Sequence, residues 1–258
     1  MSMTLTEIDT VLKQLRLSGV RATLQTRLLE AQAANLTVLE TVSALLQDEM
    51  DHRQSTLLQR RFQLSNLDER ATLTDFDWHY NPEIPRRTCF ELHALKFITE
   101  GDSAIFCGPP GTGKSHVAKA IAYAAVRAGL RVQYTEADEL LGQLQSVANS
   151  ALGRHRLLKP VLDADLLVLD DLFLRRKIAG ETADDLQLIL HRRYKRRASV
   201  LITTNRIIED WHLCLGDTAL TTAILDRLMH RSTLVKFQGR SYRLKEAAAR
   251  LVNATPAA

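Results

Sequence analysis

Cysteine is scarce in this chain, with three residues among 258 (Cys89, Cys107 and Cys214), and their wide spacing makes no CxxC pair. An odd, scattered set of thiols argues against a disulfide framework and against a cysteine zinc site. The eight histidines form no HExxH or other close ligand pair, which disfavours a catalytic zinc. Long apolar runs are missing too. The longest, Ala120 to Val126, is far short of the ~18 residues of a membrane-crossing helix, so no membrane partner is expected. The opening MSMTLTEIDT has acidic residues and no basic stretch leading into an apolar one, unlike a secretion signal. A cytoplasmic address is the expectation.

What is present is ordinary globular usage, 45% apolar and 25% charged, enough to bury a core. At about 150 residues per domain the length gives one full domain and a smaller appendage. A net charge of +4 permits a nucleic-acid partner without requiring one.

Residues 1–67 read as an all-helical unit. Leu5, Ile8, Leu12 and Leu15 repeat at helical spacing, as do Leu39, Val42, Leu45 and Leu46, and Thr37 with Glu40 has the form of a capping box. Residues 68–85 lose that period and contain two prolines, so they read as a linker. Residues 86–258 then alternate short apolar runs with helical stretches. The runs Ala104 to Cys107, Arg131 to Tyr134, Leu166 to Leu169, Val200 to Thr203 and Leu234 to Phe237 predict a five-stranded parallel sheet covered by helices on both faces, an α/β fold.

Gly108-Pro109-Pro110-Gly111-Thr112-Gly113-Lys114-Ser115 fits GxxxxGK[ST] between a predicted strand and a predicted helix, which is the context a P-loop requires. Glycines let the backbone turn its N–H groups toward phosphate oxygens, and the helix N-terminus adds partial positive charge. Together with His116, these residues are expected to surround the phosphates of ATP. Lys114 is expected to reach the β and γ phosphates from a solvent-open position, and Ser115 to ligate Mg²⁺. The run Leu166 to Leu169 ends on Asp170-Asp171, the form of a Walker B strand, with Asp170 expected to hold Mg²⁺ through water and Asp171 to polarise the attacking water. A later strand ends on Asn205, which can hold that water.

These residues resemble the AAA+ ATPases, and within them the insertion-sequence helper ATPases (IstB) and replicative helicase loaders (DnaC). Further tracts carry the resemblance: DFDW, HRRYKRRASVLITTN, WHLCLGDTALTTAILDRLMH and QGRSYRLKEA. They look closer to the insertion-sequence helpers. The resemblance implies an AAA+ core, homo-oligomers in the ATP-bound state, double-stranded DNA and a transposase as partners, and a nucleotide site shared between subunits. Arg227 matches the arginine finger and Arg243 the sensor 2 arginine. It also makes the basic cluster Arg154, Arg156 and Lys159 the DNA candidate. The second cluster, Arg192, Arg193, Lys195, Arg196 and Arg197, reads as a solvated helix face. Two departures stand out: Asp171 where the family has glutamate, which predicts slow hydrolysis, and the basic triplet Arg175, Arg176 and Lys177. A helicase loader, or a nucleotide-gated DNA scaffold with little turnover, is the alternative.

Overall fold

The computed structural model describes residues 3–174, 181–215 and 218–254. The triplet Arg175, Arg176 and Lys177 lies outside them. The chain divides into two compact units, Met1–Arg60 and Arg61–Ala258.

The first unit is helical. Helix α1 (Leu5–Gln14) starts at a capping box, in which the Thr4 side chain accepts from the Glu7 N–H and the Glu7 carboxylate accepts from the Thr4 N–H. Helix α2 (Ser18–Ala33) follows, then α3 (Val38–Leu64), which is 27 residues long and whose last four residues, 61–64, belong to the second unit. The expected box at the start of α3 is formed: Glu40 Oε2 accepts from the Thr37 N–H at 2.7 Å, and Thr37 Oγ1 from the Glu40 N–H at 3.3 Å. Each box satisfies two donors that a helix start leaves without partners.

The second unit alternates strand and helix. Its elements are α4 (Arg86–His93), α5 (Lys96–Glu100), β1 (Ser103–Cys107), α6 (Lys114–Arg127), β2 (Val132–Glu136), α7 (Ala137–Ser146) and α8 (Ala151–Asp163), followed by β3 (Leu166–Leu172), α9 (Glu181–Arg196), β4 (Ser199–Thr204), α10 (Trp211–Leu215), α11 (Thr218–His230), β5 (Ser232–Lys236) and α12 (Tyr242–Ala254). The strands pair in parallel in the order β2-β3-β4-β1-β5. Every residue of β4 is buried, as are four of the five in β1. Continuous apolar strands are what a parallel sheet covered on both faces requires. The core gathers Leu144, Leu167, Leu169, Phe173, Ile189 and Trp211 beside the sheet.

The basic stretch of α9 differs from its reading as a solvated face. Arg192, Lys195, Arg196 and Arg197 are exposed, but Arg193 is fully buried. Its Nη1 donates to the carbonyls of Val161 (2.6 Å) and Ala164 (3.1 Å), and its Nη2 to that of Ser199 (2.6 Å). One planar guanidinium thus ties the end of α8 to the start of β4, a reach that a run of charges along a sequence does not reveal.

Candidate functional site

Strands β1, β3 and β4 run parallel and end at one edge of the sheet, where open α/β folds place ligands. The loop after β1 carries Gly108 to Gly113 into the N-terminus of α6. Gly111 and Gly113 have φ of +78° and +99°, values that side chains other than hydrogen rarely tolerate. Space is also lacking: a Cβ on Gly111 would lie 2.1 Å from Ser241 Oγ, and one on Gly113 would lie 2.3 Å from the Phe76 ring. Thr112 is buried and donates to the Pro109 carbonyl at 2.8 Å, closing the turn.

Pro110, Gly111, Gly113, Lys114, Ser115, His116, Asp171, Asn205 and Arg243 line one cavity of about 300 Å³, with Leu174 and Tyr242 completing its wall. Most of the residues expected from the sequence to serve nucleotide chemistry are therefore together. Lys114 corrects one expectation, because it is 4% exposed rather than solvent-open. Its Nζ donates to the carbonyls of Gly108 and Pro109, both at 2.8 Å, and to Asn205 Oδ1 at 2.6 Å. Burial pushes the ammonium down to about 8, against the pull of Asp171 and Asp170. The neighbouring Asp171 carboxyl is raised by its own burial and by Asp170, with Lys114 and Arg243 opposing.

Asp170 is 4% exposed and is not among the residues that line the cavity, although its neighbour Asp171 is. Asp170 Oδ2 accepts from the Tyr134 hydroxyl at 2.6 Å and its Oδ1 from the Thr203 hydroxyl. Asp171 follows in the left-handed region at φ +50°, and its N–H donates to Thr203 Oγ1 at 2.9 Å. The pairing of β3 with β4 is irregular between Leu169 and Leu172, so the two acidic residues sit on a local bulge, a device that re-aims side chains at a strand end. The donor set suits a Mg²⁺-nucleotide: a hydroxyl on the first turn of a helix, a buried carboxylate with one donor on each oxygen and lone pairs to spare, and a primary ammonium.

Arg227 is elsewhere. It lines a second cavity with Arg154, Asp184, Asp185, Gln187, Leu188 and His191. The DNA candidates do not form one patch. Arg154 is engaged by both oxygens of the buried Asp185. Lys159 pairs with Asp163 at 2.8 Å. Arg156 is exposed and lines a third cavity with Gln133, Tyr134, Glu136 and Glu139. Arg154 and Arg156, two residues apart on α8, point about 160° apart around it.

Three residues at the site escaped the sequence reading. Tyr134 and Thr203 hold Asp170, and Phe76 packs on Gly113 and, at 5.7 Å between ring centroids, on His116. Two of them lay in tracts that carried the family resemblance, Phe76 in DFDW and Thr203 in HRRYKRRASVLITTN, but neither was singled out, and Tyr134 carried no signal.

Comparisons with known proteins show the family. The family described as IstB-like ATP binding protein matches residues 10–249. A Pseudomonas aeruginosa protein, named as an ATP-binding protein of insertion sequence IS21, is 34% identical over 240 residues, covering 93% of this chain and 89% of that protein. A Mycobacterium tuberculosis protein, named as an ATP-binding protein in an insertion sequence, is 33% identical over 235 residues, covering 90% and 92%. The crystal structure of a DnaC helicase loader shares the P-loop AAA+ fold with a TM-score of 0.52 at 24% identity, covering 59% of this chain and 87% of that one. By the family match and by these relatives, the chain belongs to the IstB-like ATP-binding proteins.

Proposed function

We propose that the protein is an ATP-hydrolysing helper of transposition that assembles on double-stranded DNA and engages a transposase in the cytoplasm. The observation that carries the reading is the convergence of Lys114, Ser115, Asp171, Asn205 and Arg243 on one cavity at the strand ends. ATP would take the place of the loop carbonyls and Asn205 as the partner of Lys114, and the first-turn N–H groups of α6 would meet phosphate oxygens. Mg²⁺, held by Ser115 and, through water, by Asp170, would neutralise charge on the β and γ phosphates. Asn205, released from Lys114, would hold the attacking water, and Asp171 would draw its proton. Arg243 would meet the γ-phosphate within the subunit. Arg227 faces a different cavity from this one, which supports its action on a neighbour's nucleotide. Insertion-sequence names among the relatives support the transposase partner. Among the described residues, no helix is long and apolar enough to cross a membrane.

On DNA, Arg156 and Lys159 are the exposed cations of the cluster on α8, Lys159 pairing with Asp163 at the surface, whereas Arg154 is engaged with the buried Asp185. Subunits ordered side by side by ATP would present several such pairs to the phosphate backbone. Affinity for duplex DNA is expected to require ATP and to fall with salt at a slope of about −0.9 per phosphate neutralised. Alanine at Arg154, Arg156 and Lys159 together should flatten that slope. An unchanged slope and ATP dependence in the triple variant, measured by fluorescence anisotropy, would remove α8 from the DNA contact.

The nucleotide-gated scaffold is favoured by Asp171, whose carboxylate is short, raised in pKa and carried on a left-handed backbone. Steady-state hydrolysis separates the readings. Slow turnover that rises in Asp171→Glu fits a working but handicapped ATPase, whereas undetectable turnover in both fits the scaffold.

A further inference from the structure

Asp170 is flanked by two hydroxyls from the two strands beside it. In the β2–β3 register Tyr134 stands opposite Val168, and Glu136 opposite Asp170. Side chains alternate along a strand, so Tyr134 shares a face with Asp170 and reaches it on the diagonal. From the other side, Leu201 of β4 stands opposite Val168, and Thr203, two residues on, shares that same face. The tyrosine is 8% exposed and the threonine fully buried. Each gives its hydroxyl to a different oxygen of the carboxylate. The carboxylate plane is therefore set from both sides.

The chemistry of the two donors matters. A lysine or arginine in either place would neutralise Asp170 and compete with a bound cation. Neutral hydroxyls orient the carboxylate and leave its full charge. Lys119 sits with Nζ 5.5 Å from the centre of the Tyr134 ring, but its ion pairs go to Asp68 at 2.8 Å and Glu69 at 3.2 Å. The cation thus pins the ring and does not reach into the carboxylate pair.

We propose that Tyr134 and Thr203 are a pair of positioning residues for metal binding, fixing Asp170 in the orientation in which it holds Mg²⁺ through water. This rests on the reading of Asp170 as the metal's carboxylate. Groups that orient a metal's carboxylate typically govern 10–100-fold in metal affinity. Thr203 has a second duty, since its oxygen also accepts from the Asp171 N–H, so the two acidic neighbours are aimed through one side chain.

The test uses the full chain with a non-hydrolysable ATP analogue. Mn²⁺ affinity is read by electron paramagnetic resonance, and analogue affinity is read separately in EDTA. Tyr134→Phe keeps the ring and should weaken Mn²⁺ binding about 10–100-fold while leaving metal-free analogue affinity within about twofold. Thr203→Val should act in the same direction, and Thr203→Ser, which retains the hydroxyl, should keep wild-type affinity. In an Asp170→Asn background, Tyr134→Phe should cost nothing further. Wild-type Mn²⁺ affinity in folded Tyr134→Phe or in folded Thr203→Val overturns the inference, as does a full additional loss in the Asp170→Asn background. If Asp170→Asn alone leaves Mn²⁺ affinity untouched, the reading of Asp170 fails first and the inference falls with it.

Discussion

In the helical unit Met1–Arg60, the described residues that are buried are Gly19, Val20 and Glu49, while Leu39, Val42, Leu46, Met50 and Leu57 of α3 stand exposed. In Arg61–Ala258, buried apolar side chains run through every strand of the sheet and the helices beside it. The first unit is held by charge. Glu49 accepts from the N–H groups of Gly19 (2.7 Å) and Val20 (3.2 Å) at the start of α2 and from Arg53 (2.7 Å), while Asp48 takes two bonds from Arg27. A unit with so little apolar burial draws modest net stability from each ion pair, whereas the second draws on area removed from water. The difference teaches where each unit is vulnerable: the first to pH and salt, the second to lost volume and to buried polar groups left without partners.

The largest effect should fall on the second unit alone. Lys114→Ala removes three hydrogen bonds and the charge proposed to meet the phosphates, so ATP affinity should drop by at least about 100-fold, with ion pairs to phosphate among the stronger interactions. Titration with a fluorescent ATP analogue measures this. The first unit's helical signal should not change. Equal affinity in a folded variant would remove Lys114 from the site.

Arg193→Ala comes next. It leaves the carbonyls of Val161, Ala164 and Ser199 buried without their donor, and each orphaned group costs about 1–3 kcal/mol. A total of roughly 3 kcal/mol or more should appear as a clear fall in the core's melting midpoint. Truncating Arg27, an arginine with a carboxylate partner in the first unit, should move that midpoint little. If both variants melt alike, the contrast between buried and surface arginine fails.

These two residues also mark how far the sequence could be read. All five strands and the P-loop were legible because they are local: an apolar run, then glycines at fixed offsets, then a helix. Asn205 was legible as the end of a strand. The order β2-β3-β4-β1-β5 was not, since it depends on crossovers between distant segments. Arg193 and Lys114 both read as solvent-facing because a basic residue carries that prior, and two of the three carbonyls that accept from Arg193 lie 29 and 32 residues away. The engagement of Arg154 with Asp185, 31 residues on, and of Asp170 with Tyr134, 36 residues back, are of the same non-local kind. Asp171 was legible as a departure from the family, but its left-handed φ was not, because the bulge arises from the irregular pairing with β4.

The pH behaviour of Lys114 sharpens the comparison further. Its ammonium is held down to about 8 in the folded protein, below its ordinary value near 10.4. Between those two values the unfolded chain binds more protons, so the nucleotide-free core gains stability from this group as pH rises from about 8. Binding of ATP runs the other way, since it needs the charged form. Affinity should fall by about tenfold per pH unit above about 8. Lys114→Arg, which stays charged, should flatten that profile. Opposite slopes for stability and for affinity are the signature; parallel slopes would mean that another group titrates.

The smallest effect separates the units in acid. Arg27, then Thr23, hold the Asp48 carboxyl down to about 2. Burial pushes Glu49 up, but Arg53 and the N–H groups of Val20 and Gly19 bring it below its ordinary value. Both folded-state values lie under the unfolded ones, so the stability these groups give is complete above about pH 5 and is lost as pH falls through about 4 toward 2. Asp171 in the core has the opposite sign: its carboxyl is raised, so protonation in mild acid relieves a buried charge. Hydrogen exchange of the full chain between pH 5 and pH 2.5, corrected for intrinsic rates, should therefore show the amides of α1 and α2 losing protection before those of β1 and β4. Glu49→Gln, which keeps the shape and lowers the charge, should bring the first unit's loss to higher pH and leave the core's unchanged. Loss of protection in β4 ahead of α2 would mean that the helical unit does not depend on these carboxylates.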